Sequence, residues 1–317
     1  MLAHAVTPSL GWSFEPLQLL PLVVVAFAYG KRAWTLRRRG MPVPGWKQAL
    51  FWTGIGLLLL ALVSPIDHLA EEELFSFHML QHILLGDLAP LALLAGLNRP
   101  LLAPILRYLH RLRFLAHPLV ALPLWGIDLY LWHLPVLYEA ALHHDSIHAL
   151  EHFCFFTGGA LMWSPVLETL PAPEWFGTGW KLGYIAAVRV VGMVLGNVFI
   201  WSGTVFYPFY EHAHPVWGIS ALHDQSLGGI GMMLEGSLVT FVALAWLFLR
   251  MASEGELRQQ LLERGLDPRS VRRAVRYGRA KSLGELARVE GASGEPGGSP
   301  AGASAASDRA EELSRPR

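Results

Sequence analysis

Long apolar segments alternate with short polar connections through the first 250 residues of the chain. A helix needs about 20 apolar residues to cross a bilayer core of roughly 30 Å. By that measure the pattern predicts about seven transmembrane helices and no strands. They are expected near residues 16–34, 48–64, 76–97, 115–134, 147–168, 182–206 and 226–250. The predicted fold class is therefore all-α, a polytopic membrane helix bundle, with residues 1–250 forming the transmembrane helical domain.

Basic residues are sorted between alternate connections. The end of the first predicted span and the connections after the first and third spans contain ten of them: Lys31, Arg32, Arg37, Arg38, Arg39, Lys47, Arg99, Arg107, Arg111 and Arg113. The connections after spans two, four and six, at residues 64–75, 135–146 and 207–225, contain no Lys or Arg. The positive-inside rule then predicts an N-terminus outside the cell and a cytoplasmic C-terminus. Residues 1–16 lack the features of a removable signal peptide, so the first span is expected to stay as an anchor.

The composition agrees with a membrane protein, since 53% of the residues are hydrophobic and only 16% are charged. The formal net charge is zero, which gives no indication of a nucleic-acid partner. Residues 251–285 form a charged segment with helical character, predicted to be cytoplasmic and to lie against the anionic lipid bilayer surface. Residues 286–317 are rich in Gly, Ala, Ser and Pro and are predicted to be a disordered tail.

The candidate chemistry comes from histidine. The single cysteine, Cys154, excludes a cysteine-rich metal cage, whereas the chain has 14 His. The orientation derived from Lys and Arg places only His110 and His117 on the inner side. It places twelve histidines at the outer face or the outer ends of spans: His4, His68, His78, His82, His133, His143, His144, His148, His152, His212, His214 and His223.

The spacing of these histidines indicates a metal site. His78 and His82 are four residues apart, so their imidazoles project from one helix face and can chelate one ion. The same spacing recurs in His144, His148 and His152, with Glu151 beside them as a possible acceptor for an imidazole N–H. Hydrogen bonding of single interfacial histidines to loops and headgroups is the alternative interpretation.

Two acidic residues near outer helix ends, Asp67 and Asp224, have two possible roles. A carboxylate there can cap free N–H groups, or it can bind or orient a metal. Imidazole suits zinc, copper, iron and nickel, so spacing alone leaves the metal open. The segment His78-Met-Leu-Gln-His82 is not a His-Glu-x-x-His motif, and Gln81 cannot act as a base, which argues against a zincin protease.

Several motifs, in order between about residues 15 and 250, resemble those of the seven-helix CtaG-type cytochrome c oxidase assembly factors of bacteria. They are Ser-Pro-Ile-Asp (64–67), Phe-Ser-Phe-His-Met-Leu-Gln-His (75–82), Ala-Pro-Leu (89–91), Trp-His-Leu-Pro (132–135), His-Ala-Leu-Glu-His (148–152) and Leu-His-Asp-Gln-Ser-Leu-Gly-Gly (222–229). The resemblance implies a non-enzymatic role in the bacterial cytoplasmic (inner) membrane. That role is to deliver copper to a haem-copper cytochrome c oxidase or to stabilise its copper-containing subunit, with oxidase subunits and a copper donor protein as partners.

The resemblance also implies a set of metal ligands. Carried over residue by residue, they are His78, His82, His133, His148, His152 and Asp224, with Asp67 and His223 as further candidates. His143, His144, His212 and His214 lie outside the quoted motifs and are interpreted as local to this chain.

The sequence leaves two other classes of function open. A seven-helix membrane zinc hydrolase would combine Ser64, Asp67, His78, His82 and His148, with zinc in place of copper. A bis-His haem cytochrome would need axial histidines on facing, well-separated spans.

Overall fold

A computed structural model describes residues 11–276 except 13, 15, 171, 174 and 213–216, with only the backbone at 17, 107, 110, 212, 273 and 276. Across these residues the secondary structure is helical, without strands, which confirms the predicted all-α class. The described residues divide into two compact units, one formed by the chain up to residue 176 together with 183–241 and the other by 177–182 together with the chain from residue 242.

Nine main helices lie within the described residues, and short helical turns connect several of them. In chain order they are α1 (Pro16–Arg38), α2 (Gly45–Val63), α3 (Phe75–Gly96), α4 (Pro118–Trp132), α5 (Pro135–His143), α6 (Asp145–Leu167), α7 (Thr178–Trp201), α8 (Ala221–Glu263) and α9 (Pro268–Arg276).

Helices α1, α2, α3, α7 and α8 are long and apolar enough to cross a membrane. Helices α4 and α5 meet the same criterion together but are bent by 69°, so they could form a sixth, broken span. The chain is thus a multi-pass helical protein, while neither seven spans nor the orientation of the termini is confirmed. The predicted span at 147–168 corresponds to α6, whose first two turns carry Asp145, His148, Glu151 and His152 in place of apolar residues.

Proline positions set several helix boundaries. Pro135 is the first residue of α5, and a proline disfavours the helical conformation in the residue before it. Leu134 is accordingly extended, with φ −68° and ψ 131°, and the predicted span 115–134 ends at Trp132. His133 lies at this break, where its imidazole is not confined to a helix face.

Helices α3 and α6 pack closely against each other. Residues Leu84–Leu88 of α3 form a π-helical turn, and this turn packs on α6. At the contact, a Cβ atom added to Gly159 would overlap the carbonyl oxygen of Gly86. Small residues allow helix backbones to approach in this way. The approach lies one turn beyond His82, so it brings together the two helices that carry most of the candidate ligands.

Two apolar clusters are found among the described residues of the first unit. One is built on α1, α2 and α3, with Phe51 stacked on Tyr29 at 3.6 Å between ring centroids. The other is aromatic and includes Phe75, Tyr138, Phe199, Tyr207 and Tyr210. This second cluster surrounds the start of α3, which carries His78.

The second unit contains the end of α8 and helix α9. Leu261, Val271 and Ala274 are buried together between them. Glu254 accepts hydrogen bonds from Thr178 and Arg250 at 2.8 Å and 2.7 Å. The predicted domain boundary at residue 250 falls inside the continuous helix α8, and the predicted tail at 286–317 lies outside the described residues.

Candidate metal centre

Five histidines gather in the first unit, and all are buried: His78, His82, His133, His148 and His152. Ring centroids are 4.3 Å apart for His78 and His82 and 4.0 Å apart for His148 and His152. The rings of His78 and His148 are 5.6 Å apart, and the ring of His82 lies 5.7 Å from that of His133. Residues separated by up to 74 positions therefore form one cluster.

Helix periodicity explains how this cluster is built. His78 and His82 lie one turn apart on α3, and His148 and His152 lie one turn apart on α6. His133 comes from the break after α4, where its Nδ1 lies 2.7 Å from the carbonyl oxygen of Leu129.

Glu151 lies at the centre of the cluster and is fully buried. Its carboxylate oxygens lie 3.8 Å from His78 Nε2, 3.7 Å from His82 Nε2 and 3.9 Å from His148 Nε2. One ligand atom from each of His78, His82 and Glu151 falls in a group whose members are all within 4.8 Å of one another. Ligand atoms bound tetrahedrally to one ion at about 2.0–2.1 Å are roughly 3.3 Å apart, so small side-chain movements would close this group around a metal.

The hydrogen-bond inventory supports the fit to a metal ion. Within the described part of the chain, no hydrogen-bond partner is found for His82 Nδ1, His133 Nε2, His148 Nε2, either nitrogen of His152 or either carboxylate oxygen of Glu151. Buried polar atoms are normally satisfied, and leaving one unpaired costs about 1–3 kcal/mol. Such a concentration of them is characteristic of a ligand-binding site.

Three outer side chains hold the cluster from its sides. Tyr210 Oη lies 2.8 Å from His78 Nδ1 and 3.1 Å from Tyr138 Oη, and it donates to the carbonyl oxygen of Ala70 at 2.9 Å. Burial raises the pKa of the Tyr210 hydroxyl well above its ordinary value, so the group stays protonated. His148 Nδ1 lies 2.9 Å from Glu71 Oε1, close enough to donate a hydrogen bond to that carboxylate.

The two candidate carboxylates have structural partners. Asp224 is fully buried and accepts hydrogen bonds from the backbone nitrogens of Phe75 at 2.8 Å and Ser76 at 3.2 Å, which caps the start of α3. Asp67 accepts a hydrogen bond from Gln81 Nε2 at 2.8 Å. Gln81 also donates to the carbonyl oxygen of Ala61, so it ties α3 to the end of α2.

Three of the other predicted outer histidines lie apart from the cluster at exposed positions. His223, His143 and His144 are exposed. His144 precedes α6 and so does not extend the pair formed by His148 and His152. His4, His214 and the side chain of His212 lie outside the described residues.

Sequence reasoning missed three members of the site as direct participants. Glu151 was expected only as an acceptor beside the histidines, although its position three residues after His148 places it on the same helix face. Tyr210 had no local signal, since it lies in the turn at Pro208–His212 that connects α7 to α8. Glu71 belongs to an acidic triplet at 71–73 that carries no metal-binding spacing.

A cavity of about 100 Å³ adjoins the cluster. His82 and His133 line it, together with Asp87, Arg189 and Glu235 from deeper in the bundle. Trp163 Nε1 donates to Asp87 at 2.6 Å, while Arg189 donates to Ser237 at 2.8 Å. The wall of this cavity is mostly apolar, but its volume is large enough for water beside these polar side chains.

A buried centre of imidazoles and one carboxylate within a multi-pass helical bundle defines a membrane protein with a candidate metal site. Residues 27–254 match the cytochrome c oxidase caa3 assembly factor family (Caa3_CtaG). The chain belongs to this family, which confirms the resemblance found from its motifs.

Two curated relatives are similar to this chain, which spans only about a third of their length. Proteins of Mycobacterium bovis and Mycobacterium tuberculosis, both described as uncharacterized, are each 25% identical to it over 237 residues. That alignment covers 69% of this chain but only 36% of each relative. No solved structure matches the chain.

Proposed function

We propose that this chain is a non-enzymatic assembly factor for a haem-copper cytochrome c oxidase, and that it binds copper through the buried histidine cluster. The copper is cargo, to be delivered to a copper-containing oxidase subunit or held while that subunit folds. The observation that carries the proposal is the convergence of His78, His82 and Glu151, each at most 7% exposed, with their ligand atoms within 4.8 Å.

The inner ligands in this proposal are His78, His82 and Glu151, and His148, His152 and His133 lie close enough to complete the coordination. Asp224 and Asp67 act by holding α3 in place, since their carboxylates already accept hydrogen bonds from that helix. His223 is exposed and takes no part. Imidazole nitrogens suit copper and zinc alike. We propose copper because the chain belongs to a family of cytochrome c oxidase assembly factors, and a haem-copper oxidase needs copper.

The location of the site follows from the charge pattern. The positive-inside rule puts the connections that flank the cluster on the outer face of a bacterial cytoplasmic (inner) membrane. A copper donor protein and the oxidase subunits would then meet the chain on that side. The competing zinc hydrolase has less support, because the Ser64 hydroxyl donates to the Leu60 carbonyl and caps the next helical turn at Ile66.

Metal analysis of the purified full chain tests the proposal. The protein in detergent is loaded separately with Cu(I) and with zinc, passed through a desalting column and analysed by mass spectrometry for bound metal. We expect about one copper per chain, retained by the exposed-site control His143→Ala and lost in His78→Ala and His148→Ala. A size-exclusion profile checks that each variant is folded. Full copper binding in both cluster variants, or selective retention of zinc with lipid or peptide hydrolysis, would overturn the proposal.

A second measurement addresses the oxidase. In a bacterium that lacks its own copy of this assembly factor, the wild-type chain is expected to restore copper-dependent oxidase activity, and His78→Ala is expected to fail at equal membrane abundance. Restoration by His78→Ala would separate oxidase assembly from this cluster and contradict delivery of copper by it.

A further inference from the structure

The hydroxyl group of Tyr210 meets three polar atoms at once. It lies 2.9 Å from the carbonyl oxygen of Ala70, 2.8 Å from His78 Nδ1 and 3.1 Å from Tyr138 Oη. A carbonyl oxygen can only accept, and a hydroxyl has one proton to donate. The Tyr210 hydroxyl therefore donates its proton to the carbonyl oxygen of Ala70, and the Tyr210 oxygen accepts hydrogen bonds from His78 Nδ1 and Tyr138 Oη.

This assignment determines which nitrogen of His78 carries hydrogen. For the contact with Tyr210 to be a hydrogen bond, His78 Nδ1 must be the donor. A neutral imidazole has one N–H, so His78 Nε2 then carries the lone pair. Nε2 is the atom that lies 2.8 Å from His82 Nε2 and 3.8 Å from Glu151.

We infer that Tyr210 is a positioning residue that fixes His78 in the Nδ1–H tautomer and so directs a metal-binding lone pair toward His82 and Glu151. The inference rests on the proposed function in one respect, the use of that lone pair to bind copper. Metal-bound histidines generally donate their other ring N–H to an acceptor, and loss of that acceptor typically weakens metal binding by about 10- to 100-fold.

The neighbouring histidine must be in the opposite tautomer when no metal is bound. Since His78 Nε2 has no hydrogen, the 2.8 Å contact between the two Nε2 atoms requires an N–H on His82. His82 Nδ1 is then a lone pair, and it has no hydrogen-bond partner among the described residues. His82 must therefore move its hydrogen to Nδ1 before its own Nε2 can bind a metal together with His78 Nε2.

Tyr210 connects this arrangement to the outer turns of the protein. It belongs to the turn at Pro208–His212, whereas Ala70 belongs to the turn at Leu69–Glu73. Both turns lie outside the long apolar helices. The tautomer of His78 therefore depends on two connections being docked on each other, which the sequence of α3 alone does not ensure.

The test is ¹⁵N NMR of the full chain, purified without metal and labelled at histidine. Signals of His78 are assigned by their absence in His78→Asn. In the wild-type protein we expect a protonated Nδ1 and an unprotonated Nε2. In Tyr210→Phe, which keeps the ring but removes the oxygen, we expect the Nε2–H form to become populated and copper affinity to fall by about 10- to 100-fold.

Tyr138→Phe is the matched control, because it leaves the Tyr210 contacts with His78 and Ala70 in place. It is expected to keep the wild-type tautomer. An Nε2–H tautomer of His78 in the wild-type protein would overturn the inference. This measurement decides the matter without the variant, so it still holds if Tyr210→Phe does not fold. An unchanged tautomer in folded Tyr210→Phe would also overturn it, whatever happened to copper affinity. Since the spectra are recorded without metal, a failure of copper binding alone would contradict the proposed function and leave the tautomer assignment standing.

Discussion

The carboxylate of Asp224 accepts a hydrogen bond from the backbone nitrogen of Phe75 at 2.8 Å, across 149 positions of sequence. Phe75 is the first residue of the helix that carries His78 and His82. The first N–H groups of a helix have no partner within it, so a buried helix start needs an acceptor from elsewhere. Asp224 supplies that acceptor and so holds in place the start of the helix that carries both histidines.

Replacing Asp224 with alanine is therefore expected to destabilise the fold and to weaken copper binding indirectly. The buried N–H group of Phe75 and the partly buried N–H group of Ser76 would lose their acceptor, at a cost of about 1–3 kcal/mol. Asp224→Asn keeps one acceptor oxygen and should lose less. Denaturant or thermal unfolding in detergent measures the effect, and an unfolding midpoint for Asp224→Ala equal to that of the wild type would exclude this role.

The close approach of α3 and α6 gives a second prediction. Gly159→Ala would place a methyl group against the Gly86 carbonyl, and overpacking of this kind costs about 1–3 kcal/mol or more. Because the contact lies one turn beyond His82, the ligand pairs should also move apart. We expect a lower unfolding midpoint together with weaker copper binding.

Gly183→Ala serves as the control, since an added Cβ there meets no atom within 4 Å. Alanine is the better helix former by about 0.8–1.0 kcal/mol, so this variant should be at least as stable as the wild type. Equal behaviour of the two alanine variants would argue against a tight crossing at Gly159.

The sequence predicted the helical class because apolar runs of membrane-spanning length are visible without tertiary information. It was less informative at 147–168, where length suggested a span while the turns with His148 and Glu151 lower the apolar content of α6. It also did not predict the 69° bend before Pro135, although the proline that explains the bend is present in the sequence.

The metal site likewise has one part that local sequence spacing predicts and one part that it does not. The i, i+4 pairs His78 with His82 and His148 with His152 could be found by periodicity, since both members of a pair share one helix face. Contacts made across the fold could not, because no local spacing encodes them. Tyr210 is 132 positions from His78, and Asp224 caps a helix other than the one that contains it.

A third prediction concerns the carboxylate within the cluster. If Glu151 binds the ion, Glu151→Gln should lower copper affinity by at least about 10-fold, because the neutral amide is a weaker ligand of nearly the same size. The control is Glu72→Gln, which removes one negative charge at an exposed position of the same unit. Competition with a copper chelator of known affinity gives the measurement, and equal affinities for the two variants would remove Glu151 from the ligand set.

A fourth prediction separates two histidines that the family resemblance places in one set. His152 is buried beside His148, with 4.0 Å between ring centroids, whereas His223 is exposed. His152→Ala should weaken copper binding, and His223→Ala should leave both binding and stability within about 0.5 kcal/mol of the wild type. Copper titration of the two purified variants decides the matter, and a loss confined to His223→Ala would reverse the assignment.

The last prediction concerns the side of the membrane on which copper enters. Basic residues are concentrated at the end of α1, at the start of α2 and in the connection after α3, and such residues are retained in the cytoplasm. The start of α6, next to the contact between Glu71 and His148, should then face outward, while the end of α8 should face inward. With Cys154→Ser as background, single cysteines at Ser146→Cys and Ser253→Cys report the two positions, and both native serines are exposed. An impermeant maleimide applied to spheroplasts should label Ser146→Cys at once and Ser253→Cys only after lysis. The opposite labelling would put the cluster on the cytoplasmic side, where it could not load an oxidase subunit from outside.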